Sequence, residues 1–191
     1  MTTIVLVRHA PTTWSGRRYC GRADPPLSAA GRRTARDLAV RLVPTLPGGV
    51  RVVTSPSRRT RATAGAIASR LPGTAVEVDD RWLETDVGLA EGLTFDEVAA
   101  RFPTLGEALL AGAVDIDWPG GETAAALRRR IADAWAAVIE TGRPTVVVSH
   151  AGSIRTATAI ATGRADSEIP FLEPAAWTKL EIPEGEVAPA G

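Results

Sequence analysis

Residues Thr3 to Ala10 read T-I-V-L-V-R-H-A. Apolar and β-branched side chains follow one another without a polar break as far as Val7, which is typical of a strand buried on both faces of a parallel sheet. Arg8 and His9 come directly after this run. Ligands of open α/β sheets bind outside the carboxyl ends of the strands, so the pair indicates an anion site with a titratable nucleophile or acid. The alternative is an arginine and a histidine that only end a strand.

The chain has two histidines, and the second one also follows a buried-strand pattern. Thr145 to Ser149 read T-V-V-V-S and lead directly into His150. If both strands are central and parallel, the two imidazoles project into the same crevice. A lone histidine after a strand is usually structural, but two histidines in this position favour a functional site.

The rest of the chain alternates strands with helices. Further strands are predicted at Val50–Thr54, Ala75–Val78 and, as an edge strand, Trp177–Ile182. Helices are predicted after Ser28, from Ser55 to Leu71, from Thr94 to Phe102, from Leu105 to Ala111, from Glu122 to Thr141 and from Ser153 to Thr162. This alternation predicts one α/β domain over residues 1–191, with three α/β/α layers around a mostly parallel sheet and an irregular tail from Pro183.

Size and composition exclude several classes of protein. The chain has 191 residues, 45% of them hydrophobic and 23% charged, which are ordinary values for a globular domain. Its formal net charge is zero, so no global field attracts nucleic acid or an anionic membrane. One cysteine, Cys20, excludes an internal disulfide and fits a reducing compartment. No secretory leader pattern or membrane-length apolar run is present, so we expect a cytoplasmic protein without nucleic-acid or membrane partners.

A second source of positive charge follows the strand at Val50–Thr54. The sequence continues S-P-S-R-R-T-R from Ser55, and the Ser-Pro pair predicts a helix start, whose backbone amides favour an anion. Arg58 and Arg59 fall in the first turn of this helix, where cations oppose the helix dipole unless an anion lies nearby. The alternative is a solvated, arginine-rich helix face, which we prefer for Arg58 and Arg61.

A proton donor is expected in the loop from Arg81 to Gly92. Glu84 stands beside an aromatic residue and a leucine, and apolar surroundings favour the neutral form of a carboxyl group. Asp86 and Glu91 are competing candidates, and their spacing alone does not choose among them.

Together these motifs resemble the histidine phosphatase superfamily, which has the phosphoglycerate-mutase-like fold. The matching stretches are R-H-A-P-T at Arg8–Thr12, G-R-A-D-P-P-L-S-A-A-G at Gly21–Gly31, S-P-S-R-R-T-R-A-T-A at Ser55–Ala64, L-E-T-D-V-G-L-A-E-G at Leu83–Gly92 and V-V-V-S-H-A-G at Val146–Gly152. Each motif is weak by itself, but their order and spacing are specific.

The resemblance implies a role for each central residue. His9 would take the phosphoryl group as phosphohistidine, while Arg8, Arg59 and His150 would hold its oxygens. Glu84 would give a proton to the leaving oxygen and then take one from water. Guanidinium groups would supply the positive charge that phosphoryl transfer needs, so neither a metal nor another cofactor is expected.

The resemblance also implies a second group of contacts, to substrate or phosphate. Ser15 stands where the family often has an asparagine that touches the phosphate, and a hydroxyl can also donate. Cys20 and Gly21 align with a loop that lines the substrate pocket. Ala151 replaces the first glycine after the second histidine, which we expect to be tolerated. Glu122 resembles a family position near the site, but an acid that favours a helix start is an equal alternative.

By this resemblance we expect a phosphomonoesterase, similar to the short α-ribazole-phosphatase-like members, that acts on a small phosphorylated metabolite. A mutase is the first alternative. In the cofactor-dependent mutases of the family, tyrosine and lysine in an insertion contact the substrate, whereas the tyrosine and the lysine of this chain, Tyr19 and Lys179, lie far from that segment of the sequence. A metal-dependent hydrolase is disfavoured because Arg8 and Arg59 would repel a divalent cation. A non-catalytic module that binds phosphate esters is the third alternative, and a homodimer is left open.

Overall fold

The computed structural model describes residues 1–183, which form one five-stranded sheet and six α-helices. The strands are β1 (Thr2–Arg8), β2 (Arg51–Thr54), β3 (Val76–Val78), β4 (Thr145–Ser149) and β5 (Trp177–Ile182). The helices are α1 (Ala29–Leu42), α2 (Arg58–Ala68), α3 (Phe95–Arg101), α4 (Pro103–Leu110), α5 (Ala124–Ile139) and α6 (Ala151–Thr162). The sheet order is β3-β2-β4-β1-β5, with β5 antiparallel to β1 and the other pairs parallel. The predicted α/β fold with a mostly parallel sheet is confirmed.

Strand β1 separates two hydrophobic cores, because successive side chains of a strand point to opposite faces of the sheet. Val5 and Val7 pack into the core that also contains residues of α1 and α2. Ile4 and Leu6 pack into the core that contains residues of α5 and α6. All four side chains are buried, and each contributes about 1.5–3 kcal/mol of hydrophobic stabilisation.

Strands β1 and β4 are neighbours in the sheet, and the chain leaves their carboxyl ends toward opposite faces of the sheet. After β1 the chain continues to α1, whereas after β4 it continues to α6, and these helices belong to the two different cores. Such a reversal opens a crevice at the carboxyl ends of the two strands, where ligands of this class of fold bind.

Helix α2 starts later than the sequence predicts. The predicted start is Ser55, but the N-cap is Ser57 and the helix runs Arg58–Ala68 instead of reaching Leu71. The hydroxyl of Ser55 lies 2.8 Å from Nε2 of His150 and is therefore engaged across the sheet instead of capping the helix. A local helix-start signal has thus been overridden by a tertiary contact.

Three other helices have boundaries that differ from the prediction. Helix α4 begins at Pro103 and not at Leu105, since proline is compatible with the first turn of a helix. Helix α6 begins directly after His150 and not at Ser153, because the extended backbone of His150 already serves as its N-cap. Helix α5 begins at Ala124, since Thr123 and not Glu122 precedes it as the N-cap and accepts a hydrogen bond from an amide of the first turn. Glu122 is therefore outside the helix.

The segment between β3 and α3 is less irregular than predicted, because it contains 3₁₀ turns at Asp80–Trp82 and Gly88–Ala90. These turns bracket the stretch that carries Glu84. Beyond Pro183, the predicted irregular tail lies outside the described residues. Of the helices in the described part of the chain, none combines the length and the apolar character needed to cross a bilayer.

Candidate active site

His9 and His150 meet where β1 and β4 end side by side. The strands pair in parallel with Arg8 opposite Ser149, and the backbone amide of His9 donates to the Ser149 carbonyl oxygen at 3.0 Å. The centroids of the two imidazole rings are 5.3 Å apart, with an angle of 65° between the ring planes. At this separation a single tetrahedral anion can contact both rings.

The ring of His9 is held in one tautomer. Its Nδ1 lies 2.8 Å from the carbonyl oxygen of Ala10, and because a carbonyl oxygen only accepts, Nδ1 carries the proton. Nε2 is therefore left with a lone pair. Burial, together with the nearby guanidiniums of Arg59 and Arg8, lowers the pKa of His9 to about 3. The imidazole is neutral above that pH, as a nitrogen nucleophile must be.

His150 is buried, and both of its ring nitrogens have partners. Nε of Arg59 donates to Nδ1 at 3.2 Å, so Nε2 carries the proton and donates to the Ser55 hydroxyl at 2.8 Å. Burial, followed by the charge of Arg59, holds the pKa of His150 well below its usual range. Because a hydroxyl can donate as well as accept, Ser55 also permits the other tautomer, in which Nδ1 carries the proton, gives up the hydrogen bond from Arg59 and can donate to an anion instead.

Neither imidazole is expected to titrate between about pH 5 and pH 8 in the folded protein, because burial lowers the pKa of both rings. The chain has two histidines, so a His9→Gln variant assigns both ring C–H signals in carbon–proton NMR spectra. Constant chemical shifts in the folded protein, and a transition near about pH 6.5 after unfolding in urea, are the expected result. A folded-state transition of His9 near neutral pH would contradict the neutral nucleophile.

Arg59 is 1% exposed, and its guanidinium is fixed by a loop from the other side of the cavity. Nη1 donates to the carbonyl oxygen of Ala23 at 2.6 Å and Nη2 to that of Gly21 at 2.9 Å. With Nε bonded to His150, three of the five N–H groups of an arginine are engaged. One N–H on each terminal nitrogen stays available, which suits the planar guanidinium to two oxygens of a phosphate.

The loop that carries Gly21 and Ala23 is itself held by Glu91. Its Oε2 accepts hydrogen bonds from the backbone amides of Arg22 at 2.8 Å and Ala23 at 2.7 Å. Gly21 has a φ of +47°, and a Cβ there would lie 2.6 Å from Cγ2 of Val87, so the turn requires glycine. The sequence indicates Glu91 only as a competing acid and does not reveal this positioning role, although its place in the motif at Leu83–Gly92 was a signal.

Arg8 brings a second guanidinium to His9. Its Nη1 donates to the carbonyl oxygen of Leu172 at 2.6 Å, and its Nε is buried without a hydrogen-bond partner among the described residues. Burial lowers the pKa of Arg8 from its ordinary value, but an arginine stays protonated in proteins. An unpaired buried donor is unfavourable, and a bound anion would satisfy it.

The carboxyl group of Glu84 is fixed at the N-terminus of α6. Oε1 accepts from the amides of Thr85 at 3.0 Å and Ser153 at 3.3 Å, and Oε2 accepts from that of Gly152 at 3.4 Å. A Cβ on Gly152 would lie 2.7 Å from Oε1, so a larger residue there would displace the carboxyl group from this position. Glu84 lines the same cavity as His9, which brings a carboxyl group and a neutral imidazole to one site.

An ion pair supports the loop that carries Glu84. Nε and Nη2 of Arg130, on α5, donate to the two carboxylate oxygens of Glu122 at 2.9 and 2.7 Å. Nη1 of Arg130 also donates to the Leu83 carbonyl oxygen at 2.8 Å, and Glu122 accepts from the Asp86 amide at 3.3 Å. Glu122 thus supports the loop and does not begin a helix. Sequence reasoning missed Arg130, since nothing distinguishes it within a run of three arginines.

The other residues predicted to contact substrate line the same cavity. These are Ser15, Cys20, Gly21 and Ala151. The hydroxyl of Ser15 accepts from the Thr12 amide at 2.8 Å and so closes the loop after β1. The thiol of Cys20 donates to the Ala23 carbonyl oxygen at 3.4 Å, and burial raises its pKa. Both side chains are therefore engaged within the protein, and their contacts with substrate stay predictions.

A cavity of about 790 Å³, a volume typical of small-molecule sites, is lined by Arg8, His9, Arg59 and Glu84. His150 is fully buried behind these residues and is not part of the cavity wall. Much of its wall is apolar, from Trp14, Tyr19, Leu109, Val114, Trp118 and Phe171. Within residues 1–183, no three His, Cys, Asp or Glu side chains are grouped so that they could hold a metal ion. The site therefore combines a charged centre for an anion with apolar walls for an organic group.

A family model describes the same combination of motifs along almost the whole chain. The model of the histidine phosphatase superfamily (branch 1) matches residues 4–189. The chain belongs to the histidine phosphatase superfamily. The predicted family is therefore confirmed.

Relatives within this superfamily carry different names. The chain is 31% identical to the uncharacterized phosphatase PhoE of Bacillus subtilis over 96% of this chain and 90% of PhoE. It is 38% identical to the bifunctional protein Rv2228c of Mycobacterium tuberculosis over 80% of this chain but only 39% of that protein. It is 35% identical to the probable phosphoglycerate mutase GpmB of Klebsiella pneumoniae over 78% of this chain and 70% of GpmB. The chain thus spans well under half the length of the mycobacterial relative.

Solved structures of the superfamily superpose on most of this chain. Mycobacterial glucosyl-3-phosphoglycerate phosphatase matches with a TM-score of 0.85 and 28% identity over 95% of this chain and 91% of that chain. Bacillus stearothermophilus YhfR matches with a TM-score of 0.86 and 26% identity over 98% and 96% of the two chains. A putative α-ribazole-5'-P phosphatase from Escherichia coli, at 21% identity, shares the fold with a TM-score of 0.84 over 96% of this chain and 91% of that chain.

Proposed function

We propose that this chain is a phosphomonoesterase that hydrolyses a small phosphorylated metabolite through a phosphohistidine on His9. The observation that supports this most directly is the neutral His9 ring, whose Nε2 keeps a lone pair while His150 lies 5.3 Å away. The half-buried guanidinium of Arg8 and the buried guanidinium of Arg59 supply the charge that would hold a phosphoryl group beside that lone pair.

In the first step of the proposed reaction, Nε2 of His9 attacks phosphorus and forms a nitrogen–phosphorus bond. The bond between phosphorus and the ester oxygen breaks, and its electron pair goes to the leaving oxygen. Glu84 gives that oxygen a proton, so the product leaves as a neutral alcohol. Arg8, Arg59 and His150, in its other tautomer, would hold the phosphoryl oxygens throughout.

In the second step, water attacks the phosphorus of phosphohistidine. Glu84, now ionised, takes a proton from this water while the nitrogen–phosphorus bond breaks and its electron pair returns to Nε2 of His9. Inorganic phosphate leaves, and the enzyme regains its starting protonation state. The proton on Nδ1 of His9 stays in place in both steps, because the Ala10 carbonyl oxygen accepts a hydrogen bond from it and does not take the proton.

Hydrolysis is favoured over mutase chemistry by the wall formed by residues 103–118. The side chains from this segment that line the cavity are apolar, apart from the acidic Asp115. The carboxylate of a phosphoglycerate would find no positive side chain on this segment of the wall. The relative PhoE and the structurally similar glucosyl-3-phosphoglycerate phosphatase are named as phosphatases, which agrees with this choice, while GpmB keeps the mutase as the second candidate.

The test measures two reactions on one preparation of the purified chain, hydrolysis of 4-nitrophenyl phosphate and interconversion of 3- and 2-phosphoglycerate. We expect phosphate release without interconversion, and no loss of rate in EDTA. Faster interconversion than hydrolysis would support the mutase. A rate lost to EDTA and restored by a divalent cation would support a metal-dependent hydrolase, and inactivity toward a broad panel of esters would support a binding module.

A further inference from the structure

A second polar pair lines the cavity apart from the groups around His9. Arg155, on α6, and Asp166, in the 3₁₀ turn Asp166–Glu168, both belong to the cavity wall. Nη1 of Arg155 and Oδ1 of Asp166 are buried and have no hydrogen-bond partner among the described residues. Buried polar atoms are normally paired, so one unpaired donor and one unpaired acceptor in the same cavity indicate a ligand group.

Both side chains are held by their other atoms. Arg155 is 9% exposed, its Nε donates to the Ile169 carbonyl oxygen at 2.8 Å, and its guanidinium carbon lies 3.9 Å from the ring centroid of Phe171. Oδ2 of Asp166 accepts from Nη1 of Arg128 at 2.8 Å. Arg155 and Asp166 form no ion pair with each other within 4.0 Å in the described part of the chain. Both side chains are therefore fixed in place, but Nη1 of Arg155 and Oδ1 of Asp166 do not pair with each other.

The pair lies next to the phosphoryl site. The segment from Ile169 to Leu172 accepts a hydrogen bond from Arg155 at one end and from Nη1 of Arg8, at 2.6 Å, at the other. Along α6, Arg155 follows Ala151 by one helical turn, which is about 6 Å of helix axis. A substrate whose phosphoryl group lies at His9 would therefore extend its organic part toward this pair.

The charges around the unpaired atoms select a neutral ligand group. Arg155 and Arg128 contribute two positive charges, and Asp166 and Asp115, which both act on the charge of Arg155, contribute two negative ones. A second anion on the substrate would gain no net attraction and would meet both carboxylates. A hydroxyl can accept from Arg155 and donate to Asp166 at the same time.

We propose that Arg155 and Asp166 form a subsite for a hydroxyl on the organic part of the substrate, so that the preferred esters are hydroxylated ones of the sugar or polyol type and not phosphorylated acids. This inference rests on the proposed function. It adds a source of selectivity in the same cavity as His9.

The experiment compares three phenyl phosphates that differ only in a meta substituent, which is methyl, hydroxymethyl or carboxylate. For the native chain we expect the hydroxymethyl ester to have a kcat/KM about tenfold or more above that of each other ester. An effect of this size is typical of one hydrogen bond to a charged group. Asp166→Asn replaces the acceptor by an amide and removes a negative charge. We expect it to lower the hydroxymethyl-to-carboxylate ratio of kcat/KM by about tenfold.

The matched control is Glu168→Gln, which removes a carboxylate from the same turn, where Glu168 accepts from the Ala165 amide at 2.9 Å and does not line the cavity. Its ratio is expected to equal the native one. Because each ratio is measured on one preparation, a partly unfolded variant does not change it. Equal values for all three esters, preference for the carboxylate, or an unchanged ratio in Asp166→Asn would overturn the subsite while hydrolysis stands. No hydrolysis of any ester would instead refute the proposed function.

Discussion

His9→Ala is expected to lower kcat/KM for 4-nitrophenyl phosphate by about 10⁴-fold or more, because the covalent route loses its nucleophile. His150 does not replace it, since both of its ring nitrogens are bonded to Arg59 and Ser55. The measurement is a brief incubation with a phosphate-labelled ester followed by denaturation. The native chain should retain an acid-labile, base-stable label, and the variant should retain none.

The control for this result is His150→Gln, which keeps His9 and should still form the label, at a lower rate. Inorganic phosphate should raise the Tm of His9→Ala, because Arg8 and Arg59 still bind an anion, and this shift shows that the site is folded. A label retained in His9→Ala would show that another residue is the nucleophile. If the label is instead lost in His150→Gln, the nucleophile is His150 and the roles of the two rings are reversed.

The position of the two histidines was predictable from the sequence because it depends on short-range information. An unbroken apolar run identifies a central strand without any knowledge of its neighbours. The carboxyl ends of parallel strands lie at one edge, so Arg8, His9 and His150 had to meet if the strands were adjacent. The pairing of β1 with β4 supplies that adjacency.

The groups that support the site were not predictable in this way, because each acts through a contact between distant parts of the chain. Glu91 bonds to amides near Gly21, and Arg130 bonds to the carbonyl oxygen of Leu83. No periodicity encodes such pairs. Ser55 is the converse case, in which a local signal predicts a structure that does not form. Its sequence indicates a helix cap, but its hydroxyl bonds to His150 instead. Departures of this kind are expected at functional sites.

The choice among the three acids of one loop also needed the structure. Glu84 lies at the N-terminus of α6 and lines the cavity, whereas Asp86 accepts from the Gly88 amide at 2.9 Å and so shapes the turn. Glu91 holds the loop that orients Arg59. Each carboxylate therefore has a separate task, and the three tasks are indistinguishable in sequence because all three side chains are acidic and closely spaced.

The loss of activity in Glu84→Gln is expected to depend on the leaving group of the substrate. An alkyl phosphate needs a proton on its leaving oxygen, so its hydrolysis should fall by about 10²–10⁴-fold, the usual effect of losing a general acid–base group. Nitrophenolate leaves without a proton, so His9 should still be phosphorylated by 4-nitrophenyl phosphate. Attack of water on phosphohistidine then lacks its base. Rapid-mixing kinetics should therefore show a burst of nitrophenolate, and more trapped label than in the native chain.

Glu91→Gln is the matched control, because it makes the same carboxylate-to-amide change in the same loop. Glu91 acts through the backbone that orients Arg59, so its loss weakens the hold on the phosphoryl group in both steps. Alkyl and aryl esters should therefore slow by similar factors, without a burst. If Glu84→Gln instead behaves like this control, proton transfer must belong to another group, since a residue that only shapes the cavity cannot distinguish good leaving groups from poor ones.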